Sequence, residues 1–206
     1  MKILLVDDHV LVRQGVRRLL APISGAEIYE AATSYDALAL FRHHKPDVTI
    51  LDISLAGSSG LELLKRFRIE DPEAKVLMLS MHAEAIYAAR AVQAGARGYL
   101  SKGASSEELL IAVMKVAEGK RYVERDIATD LAVKQFSGEG DVLEKLTLRE
   151  MEILRLLGEG KSLSAIASTL GVAYKTVANA CSLMKSKLAV ERTADLIRMA
   201  LEMRKT

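Results

Sequence analysis

The sequence predicts an α/β domain, a doubly wound five-stranded parallel sheet, followed by an all-α domain of four helices. Three observations carry that expectation. Five short apolar or β-prone runs alternate with five stretches of helical periodicity over residues 1–119. The polar run Ser137-Gly138-Glu139-Gly140-Asp141 interrupts the alternation. From Leu148 onward apolar residues recur only at helical spacing.

Taken in order, the strand-like runs are Lys2–Val6, Glu27–Ala31, Val48–Leu51, Val76–Leu79 and Gly98–Leu100. The helical stretches between and after them are about 9–21, 35–44, 59–69, 84–94 and 106–118. Ser34 before Tyr35-Asp36-Ala37 reads as a helix start, as does Ser105-Ser106-Glu107-Glu108 before Leu109-Leu110. Pro46 and Pro72 fall in connections, where a missing N–H does least harm. Residues 120–143 read as a linker containing a helix around 125–136. The last domain, 144–206, offers helices near 148–158, 163–170, 174–188 and 193–204.

Half of the 206 residues are hydrophobic, enough for ordinary cores, yet no apolar run approaches membrane-spanning length. Lys2 and Ile3–Val6 suggest the start of a secretion signal, but Asp7-Asp8 break the run at once. One cysteine, Cys181, excludes an internal disulfide framework or a multi-cysteine metal site. A cytoplasmic protein with no membrane partner is expected. The net charge of +2 is unevenly spread: from Thr147 onward ten Lys/Arg face six Asp/Glu, against 19 and 21 elsewhere. A basic C-terminal third points weakly to a polyanion.

The sharpest local chemistry lies at the predicted strand ends. Asp7-Asp8 follow the first strand and Asp52 the third. With those strands adjacent, three carboxylates converge at one sheet edge, which is costly unless a cation compensates. Lys102, beyond the fifth strand, supplies one positive charge, and a hard, oxygen-lined site suits Mg²⁺. Ser80 adds a hydroxyl at the same edge. Each residue alone could be a helix cap; all five at matching strand ends argue for a site. A nucleotide-type cofactor fits poorly, because Asp7-Asp8 would repel its phosphate.

Lys2-Ile3-Leu4-Leu5-Val6-Asp7-Asp8-His9, the Asp52 strand end, Ser80 and Gly98-Tyr99-Leu100-Ser101-Lys102 resemble the receiver domain of response regulators, a flavodoxin-like fold. The resemblance implies that Asp52 accepts a phosphoryl group from a sensor histidine kinase. It implies Mg²⁺ held by Asp8, Asp52 and the backbone carbonyl of Ser54, with Asp7 acting mainly through water. Lys102 would pair with the phosphoryl oxygens, Ser80 would move to hydrogen-bond them, and Tyr99 would follow as the aromatic partner of the switch. One departure stands out: Leu55-Ala56 replaces the family's usual Met-Pro before the glycine, freeing φ and loosening the loop. His9 and His82 read as loop or surface residues, with His82 near enough to influence water access.

In the last domain, Thr147 with Glu150 three residues later is a capping-box pattern. Together with Leu156-Leu157-Gly158-Glu159-Gly160, Ile166-Ala167-Ser168-Thr169-Leu170-Gly171-Val172 and Lys175-Thr176-Val177, it resembles the helix-turn-helix output domain of NarL/FixJ (LuxR-type) two-component response regulators. The resemblance makes 174–188 the recognition helix in a DNA major groove. Lys175, Thr176, Lys185 and Lys187 are then candidate phosphate contacts. Asn179 could read adenine, Ala178 or Val177 a thymine methyl, and Ser182 a base or phosphate. Asn179 could equally be a surface amide. Few bidentate readers remain on this helix, so specificity would be weak or shape-dependent. Cys181 reads as a small buried hydrophobe, and Leu196, Ile197, Ala200 and Leu201 as intradomain core.

The expected function is therefore a DNA-binding transcription regulator controlled by phosphorylation of Asp52, not an enzyme beyond slow self-dephosphorylation. Its expected partners are a sensor histidine kinase, double-stranded DNA, RNA polymerase and, on phosphorylation, a second copy of itself. A receiver-controlled protein-interaction module is the alternative that the altered recognition face suggests. A stand-alone Mg²⁺-dependent phosphatase is a third reading, in which the switch residues and the output domain would have no role.

Overall fold

The structure, a computed structural model, describes residues 1–55, 58–81, 85–137 and 145–203. The chain divides into two compact units, Met1–Ser137 and Gly138–Thr206.

In the first unit β1 (Lys2–Val6), β2 (Glu27–Ala31), β3 (Val48–Asp52), β6 (Val76–Ser80), β7 (Gly98–Ser101) and the short β8 (Tyr122–Val123) form a six-stranded sheet, and β4 (Ser54–Leu55) and β5 (Ser58–Ser59) a separate hairpin. The large sheet runs β2-β1-β3-β6-β7-β8, with every pairing parallel. All five residues of β3 and of β6 are buried, as expected of a parallel sheet covered on both faces. Helices α1 (Val10–Leu20), α2 (Ser34–His44), α3 (Gly60–Glu70), α4 (Ala85–Gln93) and α5 (Ser106–Ala117) alternate with the strands. Val16 and Leu20 of α1 and Leu109, Ala112, Val113 and Val116 of α5 close one core over Ile3, Leu5, Ile50, Leu77 and Leu100. Elsewhere Phe41 of α2 stacks on Phe67 of α3 with ring centroids 4.3 Å apart.

From β1 the chain steps to β2 on one side and to β3 on the other. That reversal opens a crevice at the strand C-termini, where open α/β sheets bind ligands. Asp7, Asp8 and the end of β3 all lie there.

Two details differ from the sequence-based expectation. The start of α2 is capped by Thr33, whose Oγ1 accepts the Asp36 N–H at 3.1 Å, so Ser34 is the first helical residue. The sheet has a sixth strand, because Tyr122 and Val123 pair with Gly98 and Tyr99 inside the segment read as linker. Helix α6 (Arg125–Ser137) follows directly and packs against α4 within the same unit. A two-residue strand is too short for periodicity to reveal.

The second unit contains α7 (Leu148–Gly158), α8 (Leu163–Thr169), α9 (Tyr174–Leu188) and α10 (Thr193–Met203), with no strand among the described residues. Its core gathers Met151, Leu154, Ile166, Val177, Met184 and Leu196. A Cβ at Gly158 would sit 2.8 Å from that of Ala200, so only glycine lets α7 and α10 approach this closely. The capping box is present: Thr147 accepts the Glu150 N–H, and Glu150 accepts the Thr147 N–H at 2.6 Å. Leu196 and Ala200 are core residues as expected, but Leu201 is 45% exposed and lies outside the core.

Candidate functional site

Parallel register delivers the acidic residues to one edge. Val6 of β1 pairs with Leu51 of β3, so Asp7 and Asp52 leave adjacent strands side by side. Asp52 pairs with Leu79, one residue before Ser80, and Ser80 pairs with Ser101, one residue before Lys102. A Cβ at Gly60 would fall 2.0 Å from the Asp52 carbonyl oxygen, and the Gly60 N–H donates to the Ile53 carbonyl at 2.9 Å. Glycine there allows the β4–β5 hairpin and α3 to return tightly against the strand end.

The centre of the site is a buried ion triad. The Lys102 Nζ lies 2.7 Å from Asp7 Oδ2 and 2.8 Å from Asp52 Oδ2. The side chains of Asp7, Asp52 and Lys102 are 1%, 3% and 7% exposed, so little water screens them. Burial pushes the Asp52 carboxyl up, the Lys102 ammonium and its hydrogen bond pull it down, and Asp7 adds to the rise; the outcome is about 6. Burial would lower Lys102, but Asp52 and Asp7 outweigh it and hold its pKa above the ordinary value. Asp52 is thus a buried carboxylate ionised near neutrality, beside a cation that stays charged.

Asp7, Asp8, His9 and Asp52 each offer a ligand atom, all within 4.8 Å of one another. The His9 Nδ1 is 3.2 Å from Asp7 Oδ1 and 3.1 Å from Asp8 Oδ1. Three carboxylates against one lysine form a donor set compatible with a divalent cation. Of the other expected residues, Ser80 and Tyr99 are fully buried. The Ser54 N–H donates to Asp52 Oδ1 at 3.3 Å. Ala56 and His82, singled out from sequence, lie outside the described residues.

Sequence reading missed three contributors. His9 joins the acidic cluster, although a histidine after two aspartates reads as a loop residue. Arg13 donates to the Asp7 carbonyl at 2.5 Å from one turn into α1. Gly60 is dictated by the close approach described above.

On α9 the exposed face comprises Lys175, Thr176, Asn179, Ser182, Leu183 and Ser186, with Ala178 and Lys185 half-buried at its margin. Two expectations need correction. Val177 is fully buried with Cys181, Met184 and Leu188, so it cannot meet a thymine methyl. Lys187 is engaged inside the unit: its ammonium donates to both Glu150 carboxylate oxygens at 2.8 and 2.7 Å, which competes with any phosphate. Ser182 donates to the Ala178 carbonyl at 3.2 Å, a local bond that a backbone phosphate or base edge could replace. Leu183, 57% exposed on this face, was not anticipated.

Comparison with known proteins settles the lineage. Residues 3–114 match the response regulator receiver domain, and residues 144–200 match the bacterial regulatory proteins of the luxR family. This chain belongs to the response regulators. It is 39% identical to the transcriptional activator protein ExaE of Pseudomonas putida, over 98% of this chain and 96% of that one. Similarity to the response regulator UvrY of Escherichia coli K12 is 36% over 97% and 93%. Among solved structures it resembles the two-component response regulator RcsB in a DNA complex, with 25% identity, TM-score 0.59 and 98% of each chain covered. This response regulator thus pairs a receiver with a luxR-type DNA-binding domain. No helix among its described residues is long and apolar enough to cross a membrane.

Proposed function

We propose that this regulator is switched by phosphoryl transfer to Asp52 and acts on transcription through duplex DNA read by α9. The observation that carries the reading is Lys102, whose ammonium sits between the buried Asp7 and Asp52 carboxylates. An Asp52 carboxylate oxygen attacks the phosphorus of a phosphohistidine on a sensor kinase. The new P–O bond forms as the P–N bond breaks, and the imidazole leaves with a proton. Lys102 exchanges carboxylate partners for phosphoryl oxygens, neutralising charge that develops on them. Asp7, Asp8, Asp52 and the Ser54 carbonyl would hold Mg²⁺, which supplies further neutralisation of the transferring group. Ser80 lies one residue from the position paired with Asp52 and serves as the hydroxyl partner of the acyl phosphate. Tyr99, one strand further over, is the aromatic partner of the switch.

On α9, Lys175, Thr176 and Lys185 contact phosphates, and Ala178, Asn179 and Ser182 face base edges. Phosphorylation favours a homodimer that engages paired half-sites and RNA polymerase in a cytoplasmic setting. The similarity to RcsB, solved in complex with DNA, supports the duplex as partner. A protein-interaction role for the output domain is the second reading, favoured by Leu183 and Tyr174 exposed at 57% and 55% on α9.

Incubation with Mg²⁺ and a small phosphodonor is expected to add one phosphoryl group, seen by intact mass and absent in Asp52→Ala. Selection from a random duplex pool, repeated across salt concentrations, then decides the output. Enriched, salt-sensitive sites support DNA reading; no enrichment in either phosphorylation state removes it and leaves the protein-interaction role.

A further inference from the structure

A contact on the strand that carries Lys102 comes from the segment read as linker. β8 pairs only with Gly98 and Tyr99, leaving the last residues of β7 without a strand partner on that side. Glu124 takes over the ladder. Its Oε2 accepts the Ser101 N–H at 2.8 Å, and its Oε1 lies 3.5 Å from the Ser101 hydroxyl. Its own N–H donates to the Tyr99 carbonyl at 3.2 Å. Its carbonyl accepts the Ala128 N–H at 2.9 Å, which starts α6. Ile127, in that first turn, is buried, and α6 packs against α4.

Ser101 immediately precedes Lys102, whose N–H donates to the Ser80 carbonyl at 2.6 Å. The end of β7 is therefore held from two sides, by β6 and by Glu124. A carboxylate on a backbone N–H is a charge-assisted bond, stronger than the neutral ladder bond it replaces. Where the strand end sits determines where the Lys102 ammonium reaches, and charged groups at a reacting centre are sensitive to small displacements.

We propose that Glu124 is a positioning residue for the phosphoryl site, holding the end of β7, and with it Lys102, from the turn between β8 and α6. This rests on Asp52 being the phosphoacceptor. Because the same residue opens α6, a phosphoryl group that draws Lys102 toward it also loads the Ser101–Glu124 bond. The start of α6, and the chain that continues to the second unit, then registers the state of the site.

The test uses the full chain with Mg²⁺ and acetyl phosphate, following Asp52 loading by intact mass and Ser101 amide exchange by NMR. Glu124→Ala is expected to slow loading about tenfold, the scale of a lost charge-assisted hydrogen bond, and to expose the Ser101 amide. Glu124→Gln keeps a side-chain carbonyl that accepts the N–H, so it should recover most of both. A merely structural role would lower the melting midpoint yet leave loading of the folded protein unchanged. Glu124→Ala loading at the wild-type rate, or Glu124→Gln as slow as Glu124→Ala, overturns the proposal. A wild-type chain that takes up no phosphoryl group brings down the Asp52 reading, and this proposal with it; an adduct indifferent to Glu124 removes only the latter.

Discussion

Replacing Asp52 by asparagine should stabilise the metal-free protein, and the gain should depend on pH in a prescribed way. The Asp52 carboxyl is raised from 3.8 to about 6 by burial, despite the help of Lys102. Between those values the native protein retains a proton that the unfolded chain has lost. Stability therefore falls as pH rises through the window and levels off above the folded value. Asparagine mimics the protonated side chain at every pH, so the difference between Asp52→Asn and wild type isolates this one group. Its expected size is about 3 kcal/mol at pH 7, roughly half that at pH 5, and near zero below about pH 3. Urea melts in EDTA, followed by circular dichroism in the transition of the first unit, measure it directly. If the cluster holds Mg²⁺ as proposed, adding it should close much of the gap, because a cation held more tightly by the folded wild type than by the variant stabilises it by mass action. A difference that is constant with pH, or an Asp52→Asn protein less stable than wild type at pH 7, would refute the claim that burial dominates this carboxylate.

Three further outcomes follow from the geometry. Gly60→Ala should destabilise the first unit by about 1–3 kcal/mol and lower phosphoryl uptake, because its Cβ would displace the Asp52 carbonyl; urea melts and intact mass report the two effects. Glu150 is held below 4.5 although burial pushes it up, because Lys187 and the Thr147 N–H favour its charged form. Its stabilisation of the second unit is thus present at neutral pH and lost as pH falls through the folded value, and Glu150→Ala should cost about 2 kcal/mol at pH 7 in thermal melts. If α9 binds duplex as proposed, Lys175→Ala should reduce the slope of log affinity against log salt by about 1. Lys187→Ala should instead lower the stability of the second unit and barely alter that slope, since its ammonium already serves Glu150.

Why the acidic cluster is legible in the sequence and the packing of α9 less so follows from what each pattern encodes. A buried parallel strand is a short apolar run, and the first charged residue after it marks its C-terminal end. Asp7-Asp8, Asp52 and Lys102 are therefore legible in the sequence as strand-end residues. Lys187 illustrates the opposite case, because a lysine at the flank of a helix serves a phosphate and a neighbouring glutamate equally well on paper. Only the packing of α7 against α9 chooses Glu150. Val177 was decidable earlier: with Cys181, Met184 and Leu188 it forms an i, i+4, i+7, i+11 stripe, which a helix buries. Glu124 offered no signal, since its role exists only because β8 stops one residue before it.

The same economy explains how a costly triad persists. Asp52, ionised and buried beside Asp7, is a liability in the resting protein, and Lys102 offsets only part of it. An apolar trio would hold the sheet edge more firmly, but it would have nothing to offer a phosphoryl group. If Asp52 is the phosphoacceptor, as proposed, a phosphoryl group arriving there finds the Lys102 ammonium already in place. The end of β7 that carries Lys102 is held by the Ser80 carbonyl on one side and by Glu124 on the other. A regulator needs its two states close in energy and its switch residues on a rigid strand. Buried charge supplies the first condition and the β7 ladder the second.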